Sequence, residues 1–149
     1  MLDITAISKT FHPGTPNARQ ALRQLSLHLE DGEFATIVGS NGAGKSTIIR
    51  HFTGVYRPDS GKLLLEGAPI WENTDAKRRM VVIPDDWYYF STATIRDMMR
   101  FYKGFYPNFS TERYEKLKEV FNLDEKRPIR RFSKGMQKQA AFWLALSAM

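Results

Sequence analysis

Gly39-Ser40-Asn41-Gly42-Ala43-Gly44-Lys45-Ser46 constrains this chain more than any other stretch. It satisfies the spacing G-x-x-x-x-G-K-[ST]. It also stands between the apolar run Phe34-Ala35-Thr36-Ile37-Val38 and the helix-like Thr47-Ile48-Ile49-Arg50-His51-Phe52. Between a strand and a helix, that spacing reads as a phosphate-binding loop. Glycines at 39, 42 and 44 open backbone conformations that a Cβ disfavours, so successive N–H groups can turn inward around an anion. The helix that follows aims its free amides and the positive end of its dipole at the same point. Residues Gly39, Ser40, Asn41, Gly42, Ala43, Gly44, Lys45, Ser46 and Thr47 are therefore the expected nucleotide contacts. Lys45 reaches the β- and γ-phosphates in such a loop, as a catalytic group, and the Ser46 hydroxyl ligates Mg²⁺. The competing reading is a solvent turn with an ordinary surface lysine; the flanking strand and helix patterns argue against it.

With 149 residues, 42% hydrophobic and 26% charged, the chain has the content of one globular domain with a buried core. The formal net charge of +6 is unevenly spread. Residues 1–75 hold 7 basic and 8 acidic groups, and residues 76–149 hold 15 and 8. A basic half can attract nucleic acid or an anionic membrane, or can simply solvate a helical face. The charges are dispersed, with no run of five or six, so no nucleic-acid partner is expected. There is no cysteine, which removes disulfides and thiolate metal sites and fits a reducing compartment. Met1-Leu2-Asp3 has neither a basic start nor an apolar core, and the longest nearly apolar run, residues 140–149, is too short to span a bilayer. A soluble, cytoplasmic protein is expected.

Alternation predicts two half-buried strands, one through Leu2, Ile4 and Ala6 and one through Leu25, Leu27 and Leu29. A Pro- and Gly-containing loop joins them, and Asp31-Gly32 turns the chain into residues 34–38, which are apolar without alternation, as in a strand covered on both faces. The helix after the phosphate loop should stop at Gly54. Residues 62–66 and 80–83 predict two more strands, the second ended by Pro84-Asp85-Asp86. The period then changes. Ile95, Met98, Met99, Tyr102 and Phe105 form one apolar stripe behind Thr94, and Tyr114, Leu117, Val120 and Phe121 form another behind Ser110. Ser133 caps a last helix that is nearly apolar from Ala140 onward and is expected to be buried.

Phe132-Ser133-Lys134-Gly135-Met136-Gln137 adds a second motif. Together with the phosphate loop it resembles the signature of ATP-binding cassette (ABC) ATPases, with Phe132, Ser133 and Gly135 fitting the pattern, Lys134 replacing a glycine and Met136 a glutamine. The departures are similar to variants of the exporter-like branch. The resemblance implies ATP and Mg²⁺ as cofactors, with Ser133 and Gly135 facing the γ-phosphate held by a second ATP-binding subunit. It also implies that Phe11 stacks on adenine, and that a transmembrane permease is the partner, so that the protein lies at the inner face of the membrane. Where the family usually has a glutamine near the metal and the attacking water, Asp85 stands here, as a candidate catalytic residue and Mg²⁺ ligand. Trp87-Tyr88-Tyr89-Phe90 falls in the part that resembles the permease-docking groove; partner contact and local core are both open for these four rings.

The family's apolar strand ending in Asp-Glu, and its later histidine, do not occur in these 149 residues. The fold class expected is therefore α/β, a P-loop NTPase core with an antiparallel β portion and a helical insertion, truncated before the aspartate-bearing strand. Residues 1–93 would be the β-rich and phosphate-loop core, 94–134 the helical insertion and 135–149 the start of the signature helix. The function implied is that of an ATP-binding, energy-coupling transporter subunit, inactive in hydrolysis as this piece alone. Two alternatives stay open: a compact P-loop kinase or NTPase with Asp85 as strand-end metal ligand, and a nucleotide-binding interaction module without hydrolysis.

Overall fold

A computed structural model describes residues Met1–Met149, which divide into two compact units, Met1–Lys77 and Arg78–Met149. In the first, β1 (Leu2–Phe11) pairs antiparallel with β2 (Arg19–Leu29) and, on its other edge, with β3 (Ser60–Leu65); β4 (Ala68–Pro69) closes a sheet of order β2-β1-β3-β4. Helix α1 (Lys45–Phe52) follows the phosphate loop, and a short α2 (Thr74–Arg78) ends the segment. Leu25, Leu27 and Leu29 alternate with exposed neighbours as expected. Along β1 the alternation breaks at Ala6, which is exposed, while Ile4 and Ile7 are buried. A bulge is the reason. The register to β2 shifts between Ile4 and Ile7, Ala6 takes a positive φ of 48°, and its N–H is given to Ser26 Oγ at 2.9 Å instead of to the ladder. One extra residue moves the next apolar side chain back to the core face. Ile4, Ile7, Leu22, Leu63 and Ile70 form that core, each burial worth roughly 1.5–3 kcal/mol before entropy is counted.

Two expected strands do not form. Residues 34–38 and 80–83 have no strand assignment, and Phe34 and Val38 are 94% and 88% exposed. The Asp31-Gly32 turn is made, but it leads into a segment without a ladder partner among these residues. A run that is apolar on both faces is stable as a strand only between neighbours that take its backbone hydrogen bonds and cover it.

The second unit is helical. Thr94 caps α3 (Ile95–Phe105) in a reciprocal box with Asp97, Ser110 caps α4 (Thr111–Phe121), and a 3₁₀ turn at Ile129–Arg131 leads to α5 (Lys134–Ser147), capped by Ser133. Ile95, Met98, Tyr114, Ile129, Phe132, Trp143 and Leu144 make the core, with Met99, Tyr102, Leu117 and Phe121 packed at its edge. Tyr114 stacks on Trp143 at 4.7 Å between ring centres, and the indole N–H is donated to the Tyr114 carbonyl at 2.8 Å. Three expectations need correcting. Phe105 and Val120 are exposed, because at about 100° per residue each falls at the side of its stripe and not on its centre line, and Phe142 and Leu146 leave α5 exposed along one side. No helix is long and apolar enough to cross a membrane.

Candidate functional site

The phosphate loop opens α1 with the backbone geometry its glycines permit. Gly42 and Gly44 have φ of 86° and 92°, whereas Gly39 needs no left-handed conformation. Gly44 is required twice over, since a Cβ there would stand 2.7 Å from the Ala21 carbonyl oxygen of β2. The loop is closed by Ala43 N–H donating to Ser40 O at 3.2 Å, and α1 begins with Ile48 N–H on Gly44 O at 2.9 Å. No side chain caps α1 and no acidic residue lies in its first turn, so its leading amides stay available to an anion. Lys45 Nζ donates to Gly39 O at 2.7 Å and Ser40 O at 2.8 Å.

The end of β1 brings an aromatic ring to the same place. Phe11 lines a cavity of about 280 Å³ together with Asn41, Gly42, Gly44, Lys45, Ser46 and Thr47. Its ring packs edge-on against Tyr56, with centroids 5.4 Å apart. Asp59 pins that strand end, accepting from Lys9 Nζ at 2.7 Å and from the Thr10 N–H at 2.6 Å; these bonds, the lysine's first, hold its carboxyl below the usual range. A larger cavity of about 510 Å³ in this unit, lined by His51, Tyr56 and Trp71 among others, contains none of the expected site residues.

In the second unit, Ser133 Oγ accepts from the Met136 N–H at 3.2 Å, and a Cβ on Gly135 would meet nothing nearer than Ser133 Oγ at 4.0 Å. Gly135 shares a cavity of about 530 Å³ with Asp85, Trp87, Lys134 and Lys138. The Asp85 side chain is fully exposed and accepts from Lys138 Nζ at 3.0 Å. Of the four aromatic residues that follow, Trp87 and Tyr89 pack on the core, whereas Tyr88 and Phe90 are 74% and 44% exposed. With Phe101 and Phe105, also exposed, they border an apolar cavity of about 310 Å³. Core-packed and exposed rings thus alternate within this stretch.

A family model described as "ABC transporter" matches residues 22–148. The chain belongs to the ABC transporter family. Over 130 residues this family member is 32% identical to the SkfA peptide export ATP-binding protein SkfE of Bacillus subtilis (strain 168), a match that covers 85% of this chain and 52% of that protein. Over 70 residues it is 46% identical to the ribose import ATP-binding protein RbsA of Jannaschia sp. (strain CCS1), covering 47% of this chain and 13% of that one. Among solved structures it is similar to an ATP binding subunit of an ABC transporter, with a TM-score of 0.85 and 24% identity over 99% of this chain and 62% of that one. The last likeness speaks for the fold alone. The ABC chain described here spans about half the length of SkfE.

Three residues at or near the phosphate-loop cavity of this ABC domain were not legible in the sequence. Ala21 and Arg19 line it from β2, and Asp59, outside it, holds Lys9 and Thr10 at the end of β1. Each depends on which residues β1 faces across its two ladders, and the bulge at Ala6 hides that register from any reading of the period.

Proposed function

We propose that the chain is the ATP-binding part of the energy-coupling subunit of an ABC transporter, and that ATP sits in the cavity between Phe11 and the start of α1. The observation that carries this is the shared cavity itself. An aromatic platform, an uncapped helix N-terminus and the Lys45 ammonium converge within about 280 Å³. Adenine would stack on Phe11, the loop from Gly39 to Thr47 would hold the phosphates, and Lys45 would neutralise the charge that develops on them. The residues fit Mg²⁺ as well. That ion needs only one or two protein ligands beside substrate phosphate oxygens, so the Ser46 hydroxyl suffices without a cluster of carboxylates, of which there is none. Mg²⁺ would supply charge neutralisation at the phosphates.

Asp85 enters this reading as a second metal ligand in the assembled site. Its bond to Lys138 is an exposed ion pair, which water and salt screen, so the carboxylate is free to exchange partners. Asp85→Asn then shifts the Mg²⁺ dependence of nucleotide binding and leaves the melting temperature alone; the reverse pattern removes Asp85 from the site. Ser133 and Gly135, at the open start of α5, would meet the γ-phosphate bound by a second subunit. The exposed rings of Tyr88, Phe90, Phe101 and Phe105 would receive an apolar segment of the transmembrane permease, holding the subunit peripherally at the inner face of the membrane. Export is the direction suggested by the name of SkfE, a relative matched over 85% of this chain; the shorter RbsA match carries an importer's name. Of the divisions 1–93, 94–134 and 135–149, the first is drawn back to the boundary after Lys77 in this reading, since Trp87, Tyr89 and Ala93 pack in the helical unit. Hydrolysis would need a water-polarising carboxylate of the family's Asp-Glu type, so this chain alone is expected to bind and not to turn over. The compact-kinase alternative loses its support where residues 80–83 make no strand to end at Asp85.

The test is a nucleotide series by calorimetry. Affinity should fall from ATP to ADP to AMP and be weakest for adenosine; equal affinity across the series would show that the loop holds no phosphates.

A further inference from the structure

We propose that Arg19 is a phosphate-contacting residue of the nucleotide pocket, a second cation that works beside Lys45. The inference rests on the assignment of that cavity to a nucleotide. Arg19 is the first residue of β2 and the ladder partner of Phe11, the last residue of β1. The ring expected to carry the base and the guanidinium therefore leave the sheet side by side. From there Arg19 reaches the loop, where Nη2 donates to the Gly42 carbonyl at 2.7 Å. It lies on the bare side of Gly42: a Cβ at that position would stand 2.8 Å from Nη2. The absent side chain is what lets the guanidinium rest on the loop.

Charge accounting points the same way. The nine residues lining the cavity are Phe11, Arg19, Ala21, Asn41, Gly42, Gly44 and Lys45 to Thr47. They include two cations and no carboxylate. Both cations are held by carbonyl oxygens of the loop itself, Arg19 by Gly42 and Lys45 by Gly39 and Ser40. A carbonyl dipole is a weaker partner for a cation than an anionic oxygen, so each would exchange its carbonyl for phosphate when one enters. The guanidinium adds a planar fork able to hold two phosphate oxygens at once, which the Lys45 ammonium lacks. Because Arg19 leaves from beside Phe11, it takes the phosphates on the base side, and Lys45 takes those farther out.

Calorimetry on three variants tests this. Arg19→Gln is expected to weaken ATP and ADP by the same factor, about tenfold, and to leave adenosine unchanged. Arg19→Lys should recover part of the loss, since it keeps the charge and loses the fork. Lys45→Ala should cost more against ATP than against ADP. The residue is exposed at a strand start, so the melting temperatures should agree. Unchanged ATP affinity in Arg19→Gln overturns the proposal, and so does an equal loss for adenosine, which would make the residue structural. Tighter ATP binding in that variant also overturns it, by making Arg19 a plug of the empty pocket. If the unsubstituted protein binds no nucleotide, the reading of the cavity itself fails, an outcome distinct from these.

Discussion

The Ala21 carbonyl oxygen lies 2.7 Å from the point a Cβ on Gly44 would occupy, so β2 and the phosphate loop meet through a position that tolerates only hydrogen. Gly44 also holds φ at 92°. Gly44→Ala should therefore cost about 1–3 kcal/mol of stability from strain alone, with more from the contact to a backbone atom. Thermal melting should drop, and ATP binding should fall with it. Full stability in this variant would mean that the loop does not approach β2 as described.

Glu125 is the buried charge of the helical unit. It accepts from Arg96, from Lys118 Nζ at 3.1 Å and from the Tyr114 hydroxyl at 3.0 Å. Burial opposes its ionisation, but the three hydrogen bonds outweigh that and hold the carboxyl at about 2. A folded pKa below the unfolded one gives stability that is complete above about pH 4.5 and drains away as pH falls toward 2. Glu125→Gln should be destabilised at neutral pH and should show a much flatter acid limb in pH-dependent melting. An unaltered acid limb would place the acid sensitivity elsewhere.

Stacking on Phe11 should be indifferent to the base. Phe11→Ala is expected to weaken ATP by roughly 1–3 kcal/mol and Phe11→Tyr hardly at all, with GTP following ATP closely. Strong rejection of GTP by the unsubstituted protein would mean that hydrogen bonds to the base edge, and not the ring face, select the nucleotide.

What could be read in the sequence was what is local. Ser110, Thr94 and Ser133 bond to amides three residues ahead, so their caps were visible in four-residue windows, and so was the loop from Gly39 to Ser46. Residues 34–38 and 80–83 carry strand composition, but a strand exists only through its neighbours, and no period reveals whether those are present. The same holds for Arg19, whose place opposite Phe11 is set by a ladder with three register shifts. In Trp87-Tyr88-Tyr89-Phe90 composition alone left partner contact and local core open, and the backbone turns Trp87 and Tyr89 onto the core while Tyr88 and Phe90 stay exposed.

Mg·ATP is expected to bind at the loop that starts α1 through the Lys45 ammonium. Isothermal calorimetry of the unsubstituted chain and of Lys45→Ala measures this contact. The charge-assisted contact is worth about 1.5–3 kcal/mol, so the variant should bind Mg·ATP tenfold to more than a hundredfold more weakly at unchanged melting temperature. Equal affinity for the two proteins would contradict it.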